Sequence, residues 1–257
     1  MNPPPLPDAL RPDWPAPVLA LMSTRAGGVS APPFASLNLR PSQLGGPGDD
    51  PAAVAENQRR FAQALGAVPV WLDQVHGARV VRLAADDRLP GRPLQRADAS
   101  VTTVPGVACA VLVADCLPLL LSRSDGGAVA AVHAGWRGLA AGVIEAAVGA
   151  LCDAGACAAS DLMAWIGPCI GPRAFEVGAE VVQACGSGPR FVARRRADGS
   201  PGWLADLPGL ARDRLAAAGV VSIGGGLGCT VSEPLRFFSY RRDGLTGRMA
   251  AAVAIPG

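Results

Sequence analysis

The chain has 257 residues, 50% of them hydrophobic and 17% charged, which is enough for one large domain with a full core. Its 23 basic and 21 acidic residues leave a net charge of +2, and no basic stripe runs along it, which argues against nucleic acid as a partner. Every basic residue is arginine, so a Schiff-base lysine, a P-loop lysine and a lysine base are all excluded, and any bound anion must be held by Arg or by backbone N–H.

In chain order, Met1–Asp13 is proline-rich, with no basic or apolar signal region. Residues 1–16 are expected to form a flexible leader, and residues 17–257 a single catalytic domain. Val18–Ser23 reads as a strand. Pro51–Leu65 reads as a helix, with Asp49 or Asp50 as cap and Pro51 in its first turn. Val80–Leu83 is a short strand. Val107–Ala114 is a continuous apolar strand, expected to be buried on both faces, and Val129–His133 is a second. Leu139–Cys152 is an Ala-rich helix, Leu162–Ile166 a strand, and Phe175–Ala184 a helix. Leu207–Ala218 is an amphipathic helix ending at Gly219. Val220–Ile223, Arg236–Tyr240 and Met249–Ile255 are expected as strands. Loops are expected at Pro41–Asp50 and Ala84–Arg96, and no internal repeat is found. The pattern predicts one mixed α/β domain. The longest apolar stretch, Val104–Leu121, is broken by Asp115 and two prolines, so no membrane span is expected and the chain is assigned to the cytoplasm. Seven cysteines without a Cys-x-x-Cys pair point to buried thiols rather than disulfides or a zinc ribbon.

Only His76 and His133 offer imidazole, and both end strand-like segments beside glycines. Asp115-Cys116 follows the apolar strand directly, where α/β proteins place reactive groups. Gly126-Gly127 fits a hairpin turn that would bring Cys116 and His133 together. With His76 the trio suits a catalytic Zn²⁺ site, a metal-free Cys–His dyad or a copper ligand set. It equally suits a satisfied core histidine, an exposed histidine and a buried thiol. Gly135-Trp-Arg-Gly138 opens the Ala-rich helix and suits an oxyanion, or a tight turn whose Arg pairs at the surface. Ser23–Gly28 is glycine-rich but matches no phosphate or dinucleotide fingerprint. Gly224–Gly226 is expected as a turn, and Arg194–Arg196 before Asp198-Gly199 as a solvated hairpin tip.

A set of motifs in fixed order carries a specific likeness: STRAGGVS at Ser23–Ser30, SLNL at Ser36–Leu39, QVHG at Gln74–Gly77, ADA at Ala97–Ala99, ADCLP at Ala114–Pro118, AVHAGWRG at Ala131–Gly138, IGPCIG at Ile166–Gly171, FEVG at Phe175–Gly178 and FFSYRRDGLTGRM at Phe237–Met249. On these the chain resembles the YfiH/YlmD-like family, long labelled polyphenol oxidoreductase laccase. The resemblance implies a layered α/β/β/α sandwich and His76, Cys116 and His133 as ligands of zinc, with copper as the alternative metal. It implies phosphorolysis of adenosine, inosine and methylthioadenosine, together with deamination of adenosine. Two further activities are considered: a peptidoglycan-editing hydrolase acting on an aberrant UDP-sugar precursor, and a mononuclear-copper polyphenol oxidoreductase. The partners implied are a purine nucleoside and phosphate; the sequence leaves the oligomeric state open, with a monomer favoured. Matching motifs supply Arg25, Asn38, Gln74, Arg137, Tyr240 and Arg241 for substrate, with Arg242 a further candidate for phosphate. Asp115 is the nearest proton shuttle in sequence, and Asp73 is its rival. Gln58 stands where the family often has Arg, with Arg59 or Arg60 as substitutes. A four-copper laccase needs on the order of ten imidazoles, and two are present.

Overall fold

A computed structural model describes residues 6–45 and 48–257. The first half of the chain contains β1 (Leu19–Met22), helix α1 (Pro51–Leu65), β2 (Val68–Val70), β3 (Leu72–Asp73), β4 (Val80–Arg82), β5 (Gln95–Arg96), β6 (Ala99–Thr102), β7 (Val107–Val113) and β8 (Leu117–Arg123). Then come β9 (Val129–Ala134), α2 (Trp136–Ala140), α3 (Val143–Gly155), β10 (Leu162–Ile166), β11 (Glu176–Val177) and α4 (Ala179–Cys185). The chain closes with β12 (Phe191–Arg195), β13 (Pro201–Ala205), α5 (Leu207–Ala217), β14 (Ser222–Gly225), α6 (Tyr240–Asp243) and β15 (Met249–Ala254).

One sheet has the order β1-β15-β7-β2 and a second the order β14-β10-β8-β9-β6-β4, flanked by the small sheets β11-β13-β12 and β3-β5. All seven residues of β7 are buried, because both of its faces are covered. Cys109, Val111 and Val113 pack with Ala131 of β9 and Val253 of β15 between the two large sheets. The alternate residues Ala108, Ala110 and Leu112 face Phe61 and Leu65 of α1. The outer face of the six-stranded sheet carries α3 through Val143, Ile144 and Leu151, with Leu215 of α5 in the same core. The molecule is therefore a single mixed α/β domain, as the sequence pattern predicts, with the α/β/β/α layering that the resemblance implies.

Helix α1 has the predicted bounds: Asp50 accepts from Ala52 N, Pro51 opens the first turn, and Gly66 at φ +82° returns its N–H to Ala62 O. Other expectations are corrected. The Ala-rich helix is two helices, because Gly142 at φ +86° ends one and begins the next. Phe175–Ala184 is not continuous helix: Glu176–Val177 pairs with β13, and helix begins only after Gly178. Arg236–Tyr240 is not a strand. Phe237 and Phe238 are both fully buried, which alternating faces would not allow here, and Ser239 then caps α6. Gly224 and Gly225 belong to β14, paired with β10, rather than to a turn. The Arg194–Arg196 segment does lead into a hairpin tip, with Arg195 opposite Pro201.

Residues 6–16 of the expected flexible leader are docked, and residues 1–5 lie outside the described residues. Leu6 is buried, Leu10 bridges Met22, and Arg11 donates to Ala64 O. Leu6 and Ala9 pack against one core cluster and Leu10 and Trp14 against another. Among the described residues no helix is long and apolar enough to cross a membrane. All seven cysteines are free thiols.

Candidate metal centre and its cavity

Strands β8 and β9 form a hairpin across Gly126-Gly127, with Pro118 opposite His133 in the register. This lays Cys116, just before β8, beside His133. On β9, His133 shares a face with Ala131, two residues before it, which faces the gap between the sheets, so its ring enters that gap. His76 enters from the loop after β3. Its ring lies edge-on to that of His133 at 4.8 Å, and its Nε2 is 3.8 Å from Cys116 Sγ. The donor atoms of the three residues lie within 4.8 Å of one another, and the group can hold a metal ion.

The residue that joins the two histidines is Asp98, which the sequence presents only within the ADA motif. Its fully buried carboxylate accepts from Val75 N (3.2 Å), His76 N (2.8 Å) and Gly77 N (2.7 Å), and pairs with His133 Nδ1 at 2.8 Å. One carboxylate thus sets the His76 loop and the His133 ring together. A carboxylate on Nδ1 fixes that nitrogen as the donor and turns Nε2 toward the site. Burial pushes the Asp98 carboxyl up, but the bonds from His133, Gly77 and His76 outweigh it and hold its pKa below the usual value. Burial also opposes a Cys116 thiolate, and the neighbouring charge of His133 with bonds from both histidines wins, so the thiol titrates low. His133 is raised in turn: burial works against its charge, while Cys116 and Asp98 more than offset it.

Two residues here have positive φ without being glycine, His76 at +60° and Asp115 at +98°. Such backbone costs on the order of 1–3 kcal/mol and persists only where surroundings enforce it. For His76 the enforcing contact is Asp98. For Asp115 it is a lattice of its own: its carbonyl accepts from Ile170 N, Oδ1 from Thr230 Oγ1 (2.6 Å) and Oδ2 from Arg241 N (2.6 Å). Gly135 brings backbone against the ligands, since a Cβ there would lie 2.9 Å from Cys116 Sγ and 3.1 Å from His76 Cδ2.

A cavity of about 610 Å³ is lined by the trio, by Asp73, Trp136 and Phe175, and by Arg40, Arg137, Arg241 and Arg248. That volume suits a small organic ligand. Of the residues expected to bind substrate, Gln74, Arg137, Tyr240 and Arg241 line it. Gln74 has both amide atoms on the backbone of Leu112, so it finishes an edge of β7. Arg137 stacks over Trp136 at 4.4 Å, and Arg241 donates to Glu176 O beside Phe175.

Arg25, Asn38 and Arg242 do not line this cavity. Arg242 is held by Thr230 O, Val231 O and Phe237 O. Asn38 is buried and bonded at both ends. Arg25 donates twice to Ala35 O and once to Pro234 O, and stacks on Phe238. It is a staple between distant loops. Arg25→Ala is therefore expected to lower stability by about 2–3 kcal/mol in a denaturant melt, from lost bonds to a charged donor, and to leave kcat/KM within about twofold. A large rise in the KM for an anionic substrate at unchanged stability would return Arg25 to the site. Gln58 bonds Leu39 O, while Arg59 and Arg60 pair with Glu56 and Arg60 also reaches Gly27 O. None of the three lines the cavity.

Residues 19–256 match the family model described as multi-copper polyphenol oxidoreductase laccase. The chain is 51% identical over 254 residues to a purine nucleoside phosphorylase of Pseudomonas aeruginosa, covering 95% of this chain and 97% of that one. It is 47% identical over 246 residues to purine nucleoside phosphorylase YfiH of Escherichia coli, covering 94% and 96%. Among solved structures it is similar to a Neisseria meningitidis protein, at 44% identity and a TM-score of 0.85, covering 97% of this chain and 100% of that one. It is also similar to YlmD from Geobacillus stearothermophilus, at 34% identity and a TM-score of 0.87, covering 97% and 96%. The chain belongs to the family described as multi-copper polyphenol oxidoreductase laccase, and relatives within its reach bear the name purine nucleoside phosphorylase.

Proposed function

We propose that the protein is a purine nucleoside phosphorylase that works with a zinc ion held by His76, Cys116 and His133, and that the same centre deaminates adenosine. The observation that carries this reading is the His–Cys–His trio, its two histidines joined by Asp98, in the wall of a ligand-sized cavity. Two imidazoles and a thiolate suit a borderline-soft ion, and three protein ligands leave a position for water or substrate. Bound there, zinc would supply a Lewis acid and a water acidified toward neutrality. The chain's two histidines both belong to the trio, so they cannot furnish a four-copper centre.

The protein's own groups divide the remaining work. Asp98 keeps a proton on His133 Nδ1 and leaves Nε2 as the ligand atom. Trp136, Phe175 and Leu72 give the cavity apolar walls for a purine. Asp115 has a partner on each carboxylate oxygen, so we assign it to positioning: it ties the Cys116 turn to the Tyr240-Arg241 segment. Asp73, which lines the cavity 3.4 Å from Arg96, is the carboxylate better placed to move a proton. In phosphorolysis a phosphate oxygen bonds to C1′ as the bond from C1′ to the base nitrogen breaks, and the base leaves with a proton.

Zinc-loaded protein should convert adenosine to adenine and ribose 1-phosphate only when phosphate is supplied, and to inosine without it, as read by chromatography. Chelation of the metal, or Cys116→Ala, should abolish both products. Zinc-loaded protein that leaves adenosine unchanged in phosphate overturns the reading. Phosphate-independent turnover of an amino-acid-bearing UDP-sugar would replace it with the hydrolase.

A further inference from the structure

Asn38 lies outside the metal-bearing cavity but lines a second one, and it ties the backbones of two arginines together. Its Oδ1 accepts from Arg248 N at 2.9 Å and from Arg40 N at 3.2 Å, and its Nδ2 donates to Asp49 Oδ2 at 3.0 Å. Leu39 N adds a bond to Arg248 O at 3.0 Å. Asn38 is 2% exposed, so this pinning point is shielded from water.

Both arginine side chains line the metal-bearing cavity. Both also line a second cavity of about 410 Å³, and Tyr240 is shared in the same way. The two arginines therefore stand at the partition between the cavities.

Among the described residues neither guanidinium has a carboxylate partner. Arg248 Nη1 donates to Thr246 O and Gly247 O, and Arg40 Nη2 donates to Leu44 O and Gly45 O. The acidic neighbours are spoken for: Asp49 by Asn38 and Asp50 N, Asp115 by Thr230 and Arg241 N. Burial, and then the charge of Arg40, press the Arg248 pKa below its ordinary value. Two like charges that act on one another, one of them partly buried, are unfavourable until an anion joins them. The unused N–H groups of two planar forks match the several oxygens of a phosphate better than a single carboxylate. Arg248 lies over the Tyr240 ring at 5.9 Å, much as Arg137 lies over Trp136 and Arg241 over Phe175; what sets Arg40 and Arg248 apart is that they alone among the cavity arginines line both cavities.

We propose that Arg40 and Arg248 form a phosphate-binding site at the junction of the two cavities, with Asn38 as its positioning residue. The phosphate is either free in solution or esterified to the substrate. Its use as the free co-substrate rests on the phosphorylase reading above; the site itself does not.

The test is calorimetric titration of inorganic phosphate, and separately of adenosine 5′-monophosphate, into zinc-loaded protein. Wild type is compared with R40Q, R248Q, R248K and R137Q, each checked for folding by circular dichroism. R40Q and R248Q should each weaken phosphate binding at least about tenfold, R248K should recover part of the loss, and R137Q should change it less than about threefold. Should R248Q not fold, R40Q and R248K carry the comparison. Binding unchanged in R40Q and R248Q, or no binding of either ligand to wild type, overturns the site. Binding of the monophosphate alone, with the same arginine dependence, keeps the site and removes the phosphorylase reading. Phosphate binding with that dependence but no turnover of adenosine also removes only the proposed function.

Discussion

Replacing Asp98 by asparagine is expected to lower zinc affinity about 10- to 100-fold, the usual effect of losing a partner that orients a ligand. The reason is the double duty of one carboxylate. It pairs with His133 Nδ1 and accepts the N–H groups of Val75, His76 and Gly77. An amide keeps one acceptor oxygen but presents an NH₂ group to some of these donors, so either the His133 ring or the His76 loop must turn away. Asp98→Ala removes every acceptor at once. Leaving several donors and a buried imidazole unpaired is expected to destabilise the fold by about 3–5 kcal/mol. The two variants separate the roles. Asp98→Asn should melt below wild type but well above Asp98→Ala, and the folded variant should lose zinc to a competing chelator, whereas Asp98→Ala should fail both measurements. Zinc affinity within twofold of wild type in Asp98→Asn would show that the trio orients itself.

The Cys116–His133 pair was legible in the sequence because its assembly is local, whereas His76, 40 residues from Cys116, was fixed as the third member by the family resemblance. Gly126-Gly127 makes the β8–β9 hairpin almost unavoidable between two apolar runs, and the hairpin puts Cys116 beside His133. The long buried strands and α1 were legible for a similar reason, since apolar runs and cap residues are written into contiguous segments. The segment Phe237–Tyr240 failed that test. Its apolar pair is buried by surroundings from elsewhere in the chain, and propensity alone reads it as a strand.

The roles of the arginines were not legible. Arg25 and Arg137 sit in equally suggestive glycine-rich motifs. What distinguishes them is whether the guanidinium is already consumed by carbonyls, and for Arg25 one of those belongs to Pro234, 209 residues away. Arg40 and Arg248 were missed for the converse reason. Neither lies in a phosphate-loop pattern, and they meet only because Asn38 bonds across 210 residues of chain to Arg248 N. A matching motif thus identified Asn38 as important while leaving its chemistry open. Its Oδ1 is spent on the backbone N–H groups of Arg40 and Arg248 and its Nδ2 on Asp49, and its effect on a ligand passes through the side chains it places.

Gly135→Ala separates metal binding from folding most cleanly. Gly135 has φ −66° and ψ 162°, a conformation any residue adopts, so alanine meets no backbone strain there. The obstacle is entirely at the site: the new methyl would stand 2.9 Å from Cys116 Sγ and 3.1 Å from His76 Cδ2. Cys116 is fixed by the turn into β8, whereas His76 is exposed and can swing outward. Relief therefore comes by expelling one ligand of three, at a folding cost no larger than the roughly 1–3 kcal/mol typical of overpacking. The expected result is a metal-free protein that melts near wild type, binds zinc at least about tenfold more weakly, and loses turnover in proportion. The contrasting control is Gly149→Ala on α3, where a Cβ meets nothing within 4 Å and zinc affinity should not change. If Gly135→Ala retained wild-type zinc affinity and activity, the close approach of backbone to Cys116 and His76 would have no bearing on the metal.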